Sequence, residues 1–189
     1  MALIEEYPLG GVQHAYRWVP GEHTDGVSRS LLWGGQLLAT PDAEKTVHCS
    51  GITFEVYLRA LRQHIDESAV TAEQLLALKS AWYIREGAET GPVDALVSRG
   101  LGRPVDDFRG LIPGDFVQFW RNNGNGHSCI FIKHTHRRDG SKRGVMFWSA
   151  QSSSYGLGYR YISEGTRPDQ FSPGKLYGVR AAIVQSAGL

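Results

Sequence analysis

Two residues able to make and break covalent bonds stand far apart in this chain. Cys49 lies in the run Lys45-Thr46-Val47-His48-Cys49-Ser50-Gly51-Ile52, directly before an amphipathic pattern. Phe54, Tyr57, Leu58, Leu61 and Ile65 recur at helical spacing on one face, so the cysteine opens a helix. A thiol at that end meets the positive pole of the helix dipole, which favours thiolate, the nucleophilic form. His127, in Gly126-His127-Ser128-Cys129-Ile130-Phe131-Ile132, begins a predicted strand. Together they are the two halves of a cysteine-nucleophile site, the imidazole taking the thiol proton and later giving it to the leaving group. Such a pair needs a third polar group to hold the imidazole. In the predicted strand over 145–151, Ser149 and Gln151 share one face, and both are candidates. Gln151 offers a fixed carbonyl acceptor, Ser149 a hydroxyl that must rotate into place. The backbone N–H of Cys49, at the helix start, is a natural oxyanion donor.

The elements that must position these groups follow an α+β order: helices first, an antiparallel sheet second. A second helix begins at Thr71, with Gln74 completing a capping box and Leu75, Leu78 and Trp82 on its buried side up to a stop near Gly87. A short third helix follows Gly91-Pro92, with Val93, Leu96 and Val97 inward and Gly100 ending it. Strands are expected over 115–121, 127–134 and 144–151, with weaker ones over 159–163 and 176–184. The basic run His136-Arg137-Arg138-Asp139-Gly140-Ser141-Lys142-Arg143 reads as a solvated hairpin tip around an Asp-Gly turn. Residues 1–45 read as an irregular segment packed on the domain, and 46–189 as the domain itself, with a helical insert over 66–112.

Composition narrows the classes. A chain of 189 residues with 41% hydrophobic and 21% charged residues is an ordinary globular domain. A net charge of +1 leaves no electrostatic footprint for nucleic acid. No apolar stretch approaches the roughly 20 residues that cross a bilayer, and the N-terminus has no basic, apolar signal pattern. The expectation is therefore a chain made in the cytoplasm, with no membrane partner, and exported, if at all, without a signal. Two cysteines do not form a disulfide scaffold. Cys49, His127, Cys129, His134 and His136 are potential zinc ligands, but their spacing fits no zinc motif. Cys129, mid-strand in an apolar run, reads as core.

Several short motifs together resemble the NlpC-type cell-wall cysteine peptidases. Cys49-Ser50-Gly51 before an apolar helix is similar to that family's nucleophile signature. Pro113-Gly114-Asp115-Phe116-Val117 resembles its strand entry, and Gly126-His127 its histidine strand. Tyr16-Arg17-Trp18 resembles the Tyr-x-Trp upstream of the nucleophile. Leu176-Tyr177-Gly178-Val179-Arg180 resembles the closing strand. His48 stands where the family usually has Asp. The resemblance implies a papain-like α+β fold, a nucleophile helix packed on an antiparallel sheet of about five strands. It also implies cleavage of amide bonds in peptidoglycan stem or cross-link peptides, with no cofactor or metal. In that frame Tyr16 and Ser50 belong to the oxyanion and substrate-binding side of the site. A secreted effector of this kind implies an immunity or inhibitor protein as partner. Two alternatives remain open: a thioester-forming acyltransferase, and a non-catalytic binding module of the same fold.

Overall fold

The computed structural model describes residues 2–19, 21–84 and 89–182. It is α+β, built on a six-stranded sheet whose ladders are all antiparallel. A one-turn helix α1 (Ala2–Glu5) and a small hairpin, β1 (Leu31–Trp33) with β2 (Gln36–Ala39), precede the long helix α2 (Cys49–His64). Helices α3 (Ala72–Trp82) and α4 (Pro92–Val97) follow. The sheet comprises β3 (Gly102–Val105), β4 (Phe116–Arg121), β5 (Gly126–His136), β6 (Lys142–Gln151), β7 (Gly156–Ser163) and β8 (Phe171–Ala181). Its spatial order is β3-β8-β4-β5-β6-β7.

Strand alternation divides the core in two. Phe116, Ile130, Trp148 and Ala150 face the helices and join Ile52, Phe54, Tyr57, Leu58 and Leu61 of α2 in the main core. Tyr57 packs edge-on to Phe116 with ring centroids 5.9 Å apart, and Trp82 of α3 closes on the same ring at 5.1 Å. The other sheet face carries Val117, Phe119, Cys129, Phe131, Val145 and Phe147, covered by Phe108 and Leu111. Both faces are buried at the middle strands, so these strands read as apolar runs. Cys129 is 1% exposed, a core residue as its strand position implies.

The capping box at Thr71 and Gln74 forms in both directions, and Leu75, Leu78 and Trp82 are buried. Helix α3 ends with Tyr83 as its C-cap, and the expected stop at Gly87 lies outside the described residues, as does the end of the strand expected to reach 184. Two expectations need correction. The insert over 66–112 is not wholly helical, because β3 within it forms an edge of the main sheet beside β8. Four residues with Pro104 among them carry too little strand signal to be read, and an edge position is where a proline without an N–H is tolerated. The segment over 1–45 is not merely irregular either. Gly34 and Gly35 take positive φ (54° and 79°), which turns β1 into β2. Trp33 (1% exposed), Tyr7 and Ile4 belong to the main core.

One buried carboxylate ties this N-terminal segment to the helix that begins at Cys49. Glu55 is fully buried and accepts hydrogen bonds from the Tyr7 hydroxyl (2.9 Å), the Ser28 backbone N–H (2.7 Å) and the Ser28 hydroxyl (2.7 Å). Arg29 completes the set with an ion pair at 3.1 Å. A second clamp joins two of the sequence motifs. Asp115, 2% exposed, accepts from both Nε and Nη2 of Arg180 at 2.9 Å and from the Ile112 N–H, so the Pro-Gly-Asp turn is locked to the closing strand.

Candidate active site

The first turn of α2 is shaped from outside. His48 is its N-cap: Nδ1 accepts from the Gly51 N–H at 3.2 Å, and Nε2, which then carries the proton, donates to the Thr24 carbonyl at 3.1 Å. The ring is 5% exposed and stands edge-on to Tyr83. It is thus a buried cap rather than a partly exposed neighbour of the thiol, and burial lowers its pKa. Gly51 is required sterically, since a Cβ there would lie 2.2 Å from the Asp25 carbonyl oxygen. The 25–26 loop therefore crosses directly over the Cys-Ser-Gly turn.

A cleft of about 560 Å³ opens at this turn. Cys49, Ser50, Tyr16, His127 and Gln151 all line it. They come from four separate stretches of chain. Tyr16 is brought in by backbone pairing: Arg17 N–H donates to the Val47 carbonyl (3.0 Å) and Val47 N–H to the Ala15 carbonyl (2.9 Å), two residues before Cys49. Trp18, 59% exposed, lines the same cleft. Gln118 and Ser128 come from the helix-facing side of β4 and β5, Arg121 and His127 from the opposite side, so the cleft wraps around this end of the sheet.

Cys49 keeps part of its surface open. Its sulfur lies 3.9 Å from the Ser50 hydroxyl. Burial pushes the thiol up, and the backbone N–H of Ser128 and the Ser50 groups oppose that only in part. The helix-start field expected from sequence is therefore outweighed by lost solvation in the resting site. His127 is 5% exposed and packs between Phe119 and Phe147, with ring centroids 5.5 and 5.4 Å away. Burial, helped by the Arg121 charge, takes its pKa down to about 3. No hydrogen bond joins Cys49 to His127, and the His127 Nε2 is buried without a partner. Tyr16 is pushed up to about 12 by burial and by the nearby Cys49.

The two candidates for the third position separate. The Ser149 hydroxyl, fully buried, donates to the Ser128 carbonyl at 2.7 Å. The β5–β6 ladder runs only to the Ile130–Trp148 pair, and Ser149 serves the carbonyl that the parting strands leave behind. Gln151 closes β6, lines the cleft, and has its amide Nε2 buried without a partner. Extending the ladder register past Ile130–Trp148 sets Gln151 opposite His127. Ser149 therefore does not line the cleft with them.

Several lining residues carry no motif in the sequence. Ser128 donates to Gln118 Oε1 at 2.6 Å and lies 3.4 Å from the Ser50 hydroxyl, giving a polar chain beneath the nucleophile. A Gln buried in the apolar run of β4 was the readable signal for it. Trp120 and Arg121 at the end of β4 form one wall. His134 bonds the Leu111 carbonyl through Nε2 (3.2 Å) and stacks on Phe131, away from the cleft, and His136 lies outside it too. Among the described residues no group of three His, Cys, Asp or Glu side chains is arranged to hold a metal ion, and no helix is long and apolar enough to cross a membrane. Comparison of the chain with protein-family models, curated proteins and solved structures finds no match.

Proposed function

We propose that this chain is a cysteine-dependent amide-bond hydrolase with a papain-like arrangement, acting on peptidoglycan stem or cross-link peptides. The observation that carries the reading is that Cys49, His127, Gln151 and Tyr16 all line one cleft, with no hydrogen bond yet joining Cys49 to His127. The resemblance of the ordered motifs to NlpC-type peptidases supplies the substrate class.

In this mechanism the resting pair is neutral thiol and neutral imidazole. A bound peptide places its carbonyl carbon at the Cys49 sulfur. His127 rests between Phe119 and Phe147 without a bond to Cys49, so in this reading its ring turns toward the sulfur on substrate binding and accepts the thiol proton as the C–S bond forms. The negative oxygen is received by the backbone N–H of Cys49 and the Tyr16 hydroxyl, which burial keeps protonated. His127 then gives its proton to the departing amine as the C–N bond breaks and a thioester remains. Water, deprotonated by His127, cleaves the thioester and restores the thiol. The Gln151 amide Nε2 and the His127 Nε2 are both unbonded in the resting site; in this reading the Gln151 amide oxygen takes up the His127 Nε2–H once substrate is bound, leaving Nδ1 for the proton transfers.

The test is incubation with purified peptidoglycan fragments and mass spectrometry of the products. Wild-type protein should release peptides with new amine and carboxyl ends, and Cys49→Ala and His127→Ala should release none while remaining folded. Full cleavage by Cys49→Ala would refute the assignment. The neutral resting pair also suits a binding module. That reading predicts retention of the same fragments by wild type and Cys49→Ala alike, with no cleavage by either.

A further inference from the structure

Among the described residues, Arg121 is a cation with no paired anion. It ends β4 at the wall of the cleft that holds Cys49 and His127, and it also lines a neighbouring cavity with Trp120, Lys175 and Glu89. Among the described residues its guanidinium makes no ion pair or hydrogen bond. It stands over the Phe119 ring, 5.0 Å from the guanidinium carbon to the centroid. The other arginines near acids behave differently: Arg180 is paired to Asp115, and Arg109 to Asp107 and Glu164. Among the described residues, the acids on these walls are Glu89, which is paired to Lys175, and Asp169 at the cleft wall. Asp169 is exposed, acts on Arg121 only at longer range, and lies 3.5 Å from Arg167.

A half-buried guanidinium without a partner has lost part of its hydration and gained nothing in exchange. Burial accordingly lowers the Arg121 pKa, and its charge reaches both Cys49 and His127. Its five donors in a planar fork match a carboxylate in two parallel hydrogen bonds. A single guanidinium with an acid nearby suits a monoanion better than a phosphate dianion.

We propose that Arg121 is a specificity-determining residue that binds a free carboxylate of the ligand beside the Cys49 sulfur. The reacting carbonyl then lies within a short reach of that carboxylate, and the ligand continues past Trp120 into the neighbouring cavity. The substrate preference rests on the hydrolase reading, but carboxylate binding does not, and the experiment keeps the two apart.

Iodoacetate and iodoacetamide differ by one carboxylate, and both react by thiolate attack on the methylene carbon with loss of iodide. The ratio of their rates at Cys49, read by mass spectrometry, cancels the thiolate fraction. Dividing by the same ratio for an unstructured cysteine peptide cancels intrinsic reactivity. The normalised ratio should be roughly tenfold or more for the wild type, as a charge-assisted contact provides. It should fall toward one in Arg121→Gln, stay intermediate in Arg121→Lys, and drop in wild type when acetate is added as competitor. A wild-type ratio at or below one overturns the proposal, and so does failure of both reagents to reach Cys49. None of these readings requires turnover. If turnover is found, a peptide with a free carboxylate should be cleaved in preference to its carboxamide by wild type and without preference by Arg121→Gln.

Discussion

Cys49 and His127 rest as thiol and imidazole because the walls of the cleft take water from both. That pairing makes a pH prediction. Burial raises Cys49, so its alkylation by iodoacetamide should climb with pH through and above the ordinary thiol range, with no plateau between pH 5 and 7. A plateau there would mean a preformed thiolate–imidazolium pair. Cys129, in the core and raised further, should label far more slowly than Cys49. Stability carries the other half of the argument. The folded pKa of His127, about 3, lies below the ordinary imidazole value of 6.5, so the unfolded chain binds more protons between them. The contribution is fully present above pH 6.5 and is lost as pH falls toward 3, at about 1.4 kcal/mol per unit within the window. His48, lowered too, acts in the same direction. Urea midpoints at pH 7.5 and 5.5 should therefore differ, and His127→Phe should shrink the difference. An unchanged difference would place the buried imidazole's titration elsewhere. For the third position, Gln151→Ala should lower kcat roughly tenfold or more with less change in KM. Ser149→Ala should instead cost about 1–3 kcal/mol of stability, because the Ser128 carbonyl loses its donor. The reverse pattern would give Ser149 the orienting role.

Helix α2 is held at its first turn and again at Glu55, which is how an N-terminal thiol comes to a fixed place. The His48 cap and the crossing of the 25–26 loop fix the first turn, and Glu55 ties the second turn to the N-terminal segment. Glu55→Ala strands the Tyr7 hydroxyl and both Ser28 donors, at a cost of about 3–5 kcal/mol. Chemical denaturation measures it, and a loss below about 1 kcal/mol would show that Glu55 is not the tie. Gly51→Ala should be at least as damaging, since its Cβ meets backbone that cannot move without shifting the loop. The capping box of α3 and the amphipathic face of α2 were legible because they are local patterns. The strand β3 and the β1–β2 hairpin were not, being three or four residues long and specified by the strands or core they pack against.

Across the whole molecule, residues 2–12 are anchored in the core through Ile4 and Tyr7. Ile4 and Tyr7 are buried with α2, Tyr7 lies against Trp148, and Gly10 pairs with Leu157 of β7. Removing residues 2–12 should leave a protein that no longer unfolds cooperatively, as thermal melting followed by near-ultraviolet circular dichroism would show. A sharp native-like transition would refute it. The sequence alone determined the α+β order, the helix starting at Cys49, the hairpin joining β5 and β6, and Cys49, His127, Gln151 and Ser149 as candidates, while Tyr16 entered only through the family resemblance. Those readings rest on residue types and on periodicities of two and 3.6, which are local. The tertiary structure decided which candidates share a cleft, that Ser149 serves the sheet rather than the cleft, and that Arg121 stands there without an anion among the described residues. It also decided the resting protonation of the pair. A pKa depends on every group that removes water or adds charge around an atom, and those groups come from strands and loops scattered along the chain.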